Sequence, residues 1–196
     1  MAVKERKLRY SCAGDVGLVR KINQDNFVCN GMYMKDDQPA GRFSFAGSTE
    51  LDGLHLFGVF DGMGGEERGE VAAFLAAEEA AEFNLTGKPE RELRNLCFQT
   101  NRKICRYAES NGIISMGTTA ALLALSDEEA VLCNIGDSKI FHFDSVNLRQ
   151  LSQDHLAFAP SGRKQPLSQN LGIPEDIMMI DPYVCQTRYK DGDIFL

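Results

Sequence analysis

The sequence predicts an α+β fold of antiparallel sheets with segregated helices. Two observations carry this prediction. Two helical patterns follow one another with no strand between them, and the short apolar runs on either side are joined by links of hairpin length. Repeated βαβ units would alternate strand with helix, so a parallel doubly wound sheet is excluded.

The elements follow in order. From Leu8 the segment YSCAGDVGLVR reads as a strand and a glycine-bearing turn, and Phe27-Val28-Cys29 as a second strand. Residues Met32 to Asp52, rich in glycine and polar residues, read as a loop or a weak hairpin. Leu54 to Phe60 is a short run of aromatic and branched residues, the pattern of a buried strand, and it stops at Asp61. From Glu66 to Phe83 alanine and glutamate dominate, with Val71, Phe74, Leu75 and Glu78 at helical spacing. Leu93, Leu96, Cys97, Ile104 and Ala108 fall on one face of a second helix from about Pro89 to Ser110, which Asn111-Gly112 ends. Strands are predicted at Gly117 to Leu125, Ala130 to Ile135 and Lys139 to Phe143. A long proline- and glycine-punctuated loop, Ser152 to Asp176, follows; such a loop in a compact domain is usually functional or mobile. Strands at Met178 to Tyr183, near Cys185 to Tyr189, and from Asp193 to Leu196 complete the reading.

Composition bounds the function. A chain of 196 residues, 43% hydrophobic and 25% charged, is one ordinary globular domain, and at this size folding buries about 70% of the unfolded surface without a staple. The 28 acidic against 21 basic residues give a net charge of −7, which argues against nucleic-acid and anionic-membrane partners. No signal-peptide core follows the basic start at Lys4 to Arg9 and no run approaches a membrane span, so a cytoplasmic protein is expected. Six scattered cysteines without a Cys-x-x-Cys pair read as small buried hydrophobes.

Chemistry concentrates where strands end in acid. Asp61-Gly62-Met63-Gly64-Gly65 joins a buried strand to a helix, and Asn134-Ile135-Gly136-Asp137-Ser138 places a second Gly-Asp pair between apolar strands. Two aspartates converging at one sheet edge offer the oxygen ligands that Mg²⁺ and Mn²⁺ prefer, while glycines let backbone groups approach closely. Arg20, five residues before Asp25, could clamp a phosphate through its planar fork. Each feature has a plainer reading: a tight strand-to-helix turn, a hairpin aspartate bonding its own backbone, a solvated surface arginine.

The ordered segments GDVGLVRKINQDNF, FGVFDGMGG, MGTTAALLAL, NIGDSKIF, LSQDH and PLSQNLG together resemble the metal-dependent protein phosphatases, the type-2C serine/threonine class, and the DGMGG form resembles its bacterial members. The resemblance implies a four-layer αββα sandwich of two antiparallel sheets flanked by helices, with two Mn²⁺ or Mg²⁺ ions at one end. It implies Asp61 as the bridging ligand, the Gly62 carbonyl on one metal, Asp25 in support, Asp137 at a third and weaker metal position, and Arg20 on the substrate phosphate. It implies a metal-activated water as nucleophile, phosphorylated proteins as substrates, an opposing serine/threonine kinase, and a monomer. The segment from Asp154 and His155 to Asn170, with Arg163 and Lys164 near its centre, corresponds to the family's mobile flap, shorter here. Those two basic residues could attract acidic phosphopeptides or simply form a solvated loop.

This sequence departs from the pattern. Met63 stands where some relatives carry a histidine, and Gln24 replaces a frequent glutamate. The family's later Ser-Asp-Gly and Asp-Asn ligand segments have no counterpart before Leu196. The expectation is therefore a domain incomplete at its C-terminus with at most half of the dinuclear ligand set. Two functions fit: a phosphatase, or an inactive phosphatase-like module that binds phosphopeptides or partner proteins.

Overall fold

The computed structural model describes residues 6–35, 42–63, 68–160, 163 and 165–196. Gly64, Gly65 and Glu66, where the glycine turn was expected to enter a helix, and Lys164 of the expected flap lie outside the described residues.

The centre is an antiparallel six-stranded sheet. Its order is β10 (Tyr183–Arg188), β7 (Glu129–Ile135), β6 (Ala120–Leu125), β5 (His55–Asp61), β2 (Asp25–Cys29) and β3 (Met32–Tyr33). The middle strand β6 has the sequence AALLAL, without the polar alternation of a half-exposed strand, because both of its faces are buried. Ala120, Leu122 and Ala124 pack with Val131, Cys133 and Ile135 against the helices. Ala121, Leu123 and Leu125 face the other way, against Ala130, Leu132, Ile140 and Leu8.

Helices α1 (Gly69–Glu82) and α2 (Pro89–Ser110) share the first of these faces. Alanines 72, 73, 76, 77 and 80 of α1 are fully or almost fully buried, and their small size lets the helix lie close to β2, β5 and α2. Pro89 opens α2 in the first turn, where no amide hydrogen is needed. The Glu92 carboxylate accepts the Thr86 and Lys88 amides at 3.1 and 3.2 Å, closing the turn that precedes the helix.

The opposite face is covered by two smaller antiparallel sheets. One pairs β1 (Lys7–Gly14) with β4 (Phe43–Glu50) over eight residues; the other has the order β11 (Ile194–Phe195), β8 (Phe141–Phe143), β9 (Leu148–Gln150). Tyr10, Phe27, Phe43, Phe45 and Phe57 form an aromatic layer between β1/β4 and the central sheet. The buried His142 donates to or accepts from Asp193 at 2.9 Å and stacks on Phe195, tying β8 to the end of the chain. The α+β class with antiparallel sheets stands. Both helices lie on one face, so the described residues supply three of the four expected layers.

Three sequence expectations are corrected. The stretch Met32 to Asp52, read as a loop or a weak hairpin, contains β3, paired with β2, and the long β4, paired with β1; its Gly47 is a packing residue, since a Cβ there would lie 2.7 Å from the Tyr10 ring. The strand expected at Met178 to Tyr183 is absent: Ile177 and Met178 donate their amides back to the Pro174 carbonyl in a turn, and Pro182 precedes the single strand β10. The second sheet is divided into the two small sheets described above. The cysteine reading holds in part: all six are free, but only Cys29, Cys97 and Cys133 are buried, while Cys12, Cys105 and Cys185 are half-buried; burial pushes the Cys12 thiol to about 11 and Cys29 to about 12, leaving both protonated. No described helix is long and apolar enough to cross a membrane.

This packing predicts an asymmetry measurable by urea unfolding. Leu122→Ala, at a site 1% exposed, should lower stability by about 2–5 kcal/mol. Leu148→Ala, at a site 57% exposed, should stay within about 0.5 kcal/mol of the parent. Equal losses would contradict the assignment of the core.

Candidate functional site

Antiparallel pairing of β2 with β5 sets Asp25 directly opposite Asp61. Directly opposed residues of such a ladder have Cβ atoms ~5 Å apart, so two carboxylates share one small volume and repel each other. Burial, together with the charge of Asp61 and a hydrogen bond to it, pushes the Asp25 carboxyl up to about 6.

The backbone around Asp61 is held on every side. Its amide donates to Thr119 Oγ1 at 3.1 Å, and its carbonyl accepts the Thr119 amide at 2.9 Å and the Thr118 hydroxyl at 3.0 Å. Thr119 Oγ1 in turn bonds Ser138 Oγ at 2.6 Å, coupling the end of β5 to the turn that carries Asp137. The Gly62 amide donates to the Gln24 carbonyl at 3.0 Å. A Cβ on Gly62 would lie 2.3 Å from the Gly69 carbonyl oxygen and 2.5 Å from that of Gln24, so three backbone segments meet at a point only glycine can occupy. Asn23, 3% exposed, accepts the Asp25 amide through Oδ1 at 3.1 Å, and its Nδ2 has no acceptor among the described residues.

These segments line a cleft of about 550 Å³. Arg20, Asp25, Asp61, Gly62, Met63 and Asp137 all border it, so the structure brings together every residue the sequence proposed for metal and phosphate. Arg20 forms no ion pair among the described residues. Asp137 shares the cleft wall without joining the aspartate pair: among the described residues no group of three or more acidic, histidine or cysteine side chains gathers closely enough to hold an ion.

The flap residues fall elsewhere. The Asp154 carboxylate pairs with Lys139 at 2.5 Å and accepts the Gln150 amide at 2.8 Å. The His155 amide donates to the Gly136 carbonyl at 2.9 Å. Both residues anchor the root of the loop. Beyond them, a Leu156–Leu167 bridge and an Ala157 amide donating to the Pro166 carbonyl at 2.9 Å close a hairpin-like excursion. Arg163 is exposed and does not border the cleft; Gln165, Pro166 and Leu167 do.

Thr118, Thr119, Ser138 and Asn23 received no role from the sequence. The signal for the threonines was their position at the head of the apolar run Ala120–Leu125, where a hydroxyl can reach the end of the neighbouring strand.

Known proteins share this fold. A family model described as protein phosphatase 2C matches residues 35–164. The serine/threonine phosphatase stp of Listeria monocytogenes serovar 1/2a is 31% identical over 150 residues, covering 72% of this chain and 52% of that protein. The chain thus spans about half the length of the curated relatives it matches. The fold resembles that of the Mycobacterium tuberculosis serine/threonine phosphatase PstP/Ppp, with a TM-score of 0.72 at 20% identity over 96% of this chain and 76% of the other. It also resembles the PstP catalytic domain solved in complex with two manganese ions, with a TM-score of 0.70 at 20% identity, covering 96% and 75% of the two chains.

The opposed carboxylates predict a pH signature in metal-free protein. The folded Asp25 pKa lies above its unfolded value of about 3.9, so the native state binds the extra proton and loses stability as pH rises from about 4 through about 6. The carboxyl opens on the cleft, so solvent screens part of the repulsion. Asp25→Asn should therefore raise the thermal midpoint by only about 2–4 °C at pH 7.5 in chelator, with the gain vanishing near pH 4. A midpoint unchanged or lowered at pH 7.5 would overturn the repulsion.

Proposed function

The chain belongs to the protein phosphatase 2C family, and on that premise we propose that it hydrolyses phosphoserine and phosphothreonine in proteins, using Mn²⁺ or Mg²⁺ held at the Asp25–Asp61 pair. The observation that carries the reading is the division of one cleft into a repelling carboxylate pair and an arginine without an ion-pair partner among the described residues.

The residues present fit a hard divalent cation. Carboxylate oxygens are its preferred ligands, and burial together with the neighbouring Asp61 charge raises the Asp25 pKa, so a cation near the two carboxylates would be favoured. Asp61 and Asp25 would hold the cation, with Gly62 beside them and Asp137 available to a weaker, additional ion. When bound, such a cation supplies Lewis acidity to a phosphoryl oxygen and acidifies water.

The chain's own residues do the rest. The Arg20 guanidinium can hold two phosphoryl oxygens at once and so orient the ester. Thr118 and Thr119 fix the Asp61 backbone, keeping the carboxylate in place during the reaction. Met63 borders the cleft but has no exchangeable proton, so the leaving serine or threonine oxygen takes its proton from solvent. The proposed substrates are proteins marked by a serine/threonine kinase, and the proposed acting form is a cytoplasmic monomer in which residues 1–196 belong to a single phosphatase-like domain.

A second reading, an inactive module that binds phosphorylated partners, draws on the finding that only two carboxylates meet among the described residues. Hydrolysis of p-nitrophenyl phosphate with Mn²⁺ separates the two. The phosphatase reading expects turnover that falls at least ~100-fold in Asp61→Asn, on the scale of losing a principal electrostatic element of a site. It expects Arg20→Ala to raise KM about tenfold or more while lowering kcat less. Phosphopeptide binding without any turnover would establish the module instead, and an Asp61→Asn variant of full activity would overturn the site.

A further inference from the structure

Beside the cleft lies a turn whose side chains the chemistry above does not use. Asp15 builds it: one carboxylate oxygen accepts the Gly17 amide at 2.7 Å and the other pairs with Arg42 at 2.6 Å. The Arg42 bond and the Gly17 amide together hold the Asp15 carboxyl below the usual carboxylate range. Gly17 adopts a positive φ of 74°, which lets the chain reverse. The turn carries Leu18 and Val19 at its tip, both fully exposed, and Arg20 follows at once at the cleft wall. Ile22, also exposed, borders the cleft two residues on.

A single exposed apolar residue needs no explanation. These differ in being consecutive, in standing on a turn pinned by a charged pair, and in adjoining the residue placed on the phosphate. The loop that lines the cleft through Pro166 and Leu167 carries a further one. Phe158, next to the rung that joins Ala157 to Pro166, is 90% exposed.

Leu18 and Val19 stand on the turn that leads into Arg20, just outside the cleft lining, so a peptide whose phosphate Arg20 holds can lie across them. An extended peptide advances ~3.3 Å per residue, so the positions one and two residues from a clamped phosphoserine lie within reach of side chains one and two residues from Arg20. A small phosphate ester does not extend that far. Acidic flanking residues gain nothing from the apolar tip of the turn, and the chain carries a net charge of −7.

We propose that the Leu18–Val19 turn determines substrate choice by packing against apolar residues flanking the phosphorylated serine or threonine, with Phe158 contributing from the flap. The inference rests on the phosphatase reading of the cleft. Its occupant is a phosphopeptide with leucine-like neighbours, and the gain comes from apolar surface removed from water on a turn already ordered before binding.

The test is fluorescence anisotropy in Mn²⁺ with labelled peptides that carry a non-hydrolysable phosphonate analogue of phosphoserine flanked by Leu, by Ser or by Glu, each with an unmodified-serine control. The Leu-flanked phosphonate should bind about tenfold more tightly than the Ser-flanked one, the factor expected of a modest apolar contact, and the Glu-flanked one most weakly. In the Leu18→Ser/Val19→Ser double variant the Leu-to-Ser ratio should fall to about 1, and Phe158→Ser should reduce it partway. Arg20→Ala should remove the phosphonate dependence of both peptides. Phosphonate-dependent binding with equal affinity for Leu and Ser flanks, or a ratio kept in the double variant, overturns the inference and leaves the phosphatase reading intact. Binding that ignores the phosphonate in the parent protein overturns that reading and the inference with it.

Discussion

The structure is organised around two negative charges that would separate if free. Asp25 and Asp61 end adjacent strands of one ladder, and each is fixed by its register in a sheet whose two faces are both buried. A one-residue slip of β2 that would part them would turn Val28 away from the helices and Phe27 out of the aromatic layer. The apolar core therefore holds the repulsion in place. The hydrogen bonds from Thr118 and Thr119 to Asp61, and the glycine at 62 that lets three backbone segments meet, complete the restraint.

Such strain has a physical resolution in a cation, and the remainder of the cleft is arranged accordingly. Donors and acceptors are segregated, with carboxylates at the strand ends and Arg20 on a separate loop ordered by Asp15. A phosphate ester is itself anionic and could not approach the aspartates alone. A cation held at the pair, as proposed, would offset that repulsion and let a phosphate ester meet both sides of the cleft. The loop rooted at Asp154 and His155 is anchored at its base, and its residues Gln165, Pro166 and Leu167 border the cleft.

Much of this was legible in the sequence, for reasons that differ by element. Helix α2 was readable at both ends because Pro89 and Asn111-Gly112 are local start and stop signals and its apolar stripe is periodic. Asp61 stood out because an unbroken apolar strand stops abruptly at a charge. Strand β4 was missed because its glycine and serines look like loop, and only the Tyr10 ring across the pair shows why Gly47 belongs in a strand. The pairing of Asp25 with Asp61 joins residues far apart in sequence, so only strand register reveals that they face each other. The roles of Thr119 and Ser138 are equally non-local. Asp154 and His155 were placed in the flap by motif position, whereas their partners Lys139 and Gly136 assign them to its root.

The central claim is that the aspartate pair is a cation site created by the fold. Isothermal titration of Mn²⁺ into the 196-residue chain tests it most directly, with Asp61→Asn and Asp137→Asn titrated alongside. The account predicts saturable binding that Asp61→Asn abolishes and Asp137→Asn at most weakens. Equal binding by the parent and Asp61→Asn, or no binding by either, would contradict it.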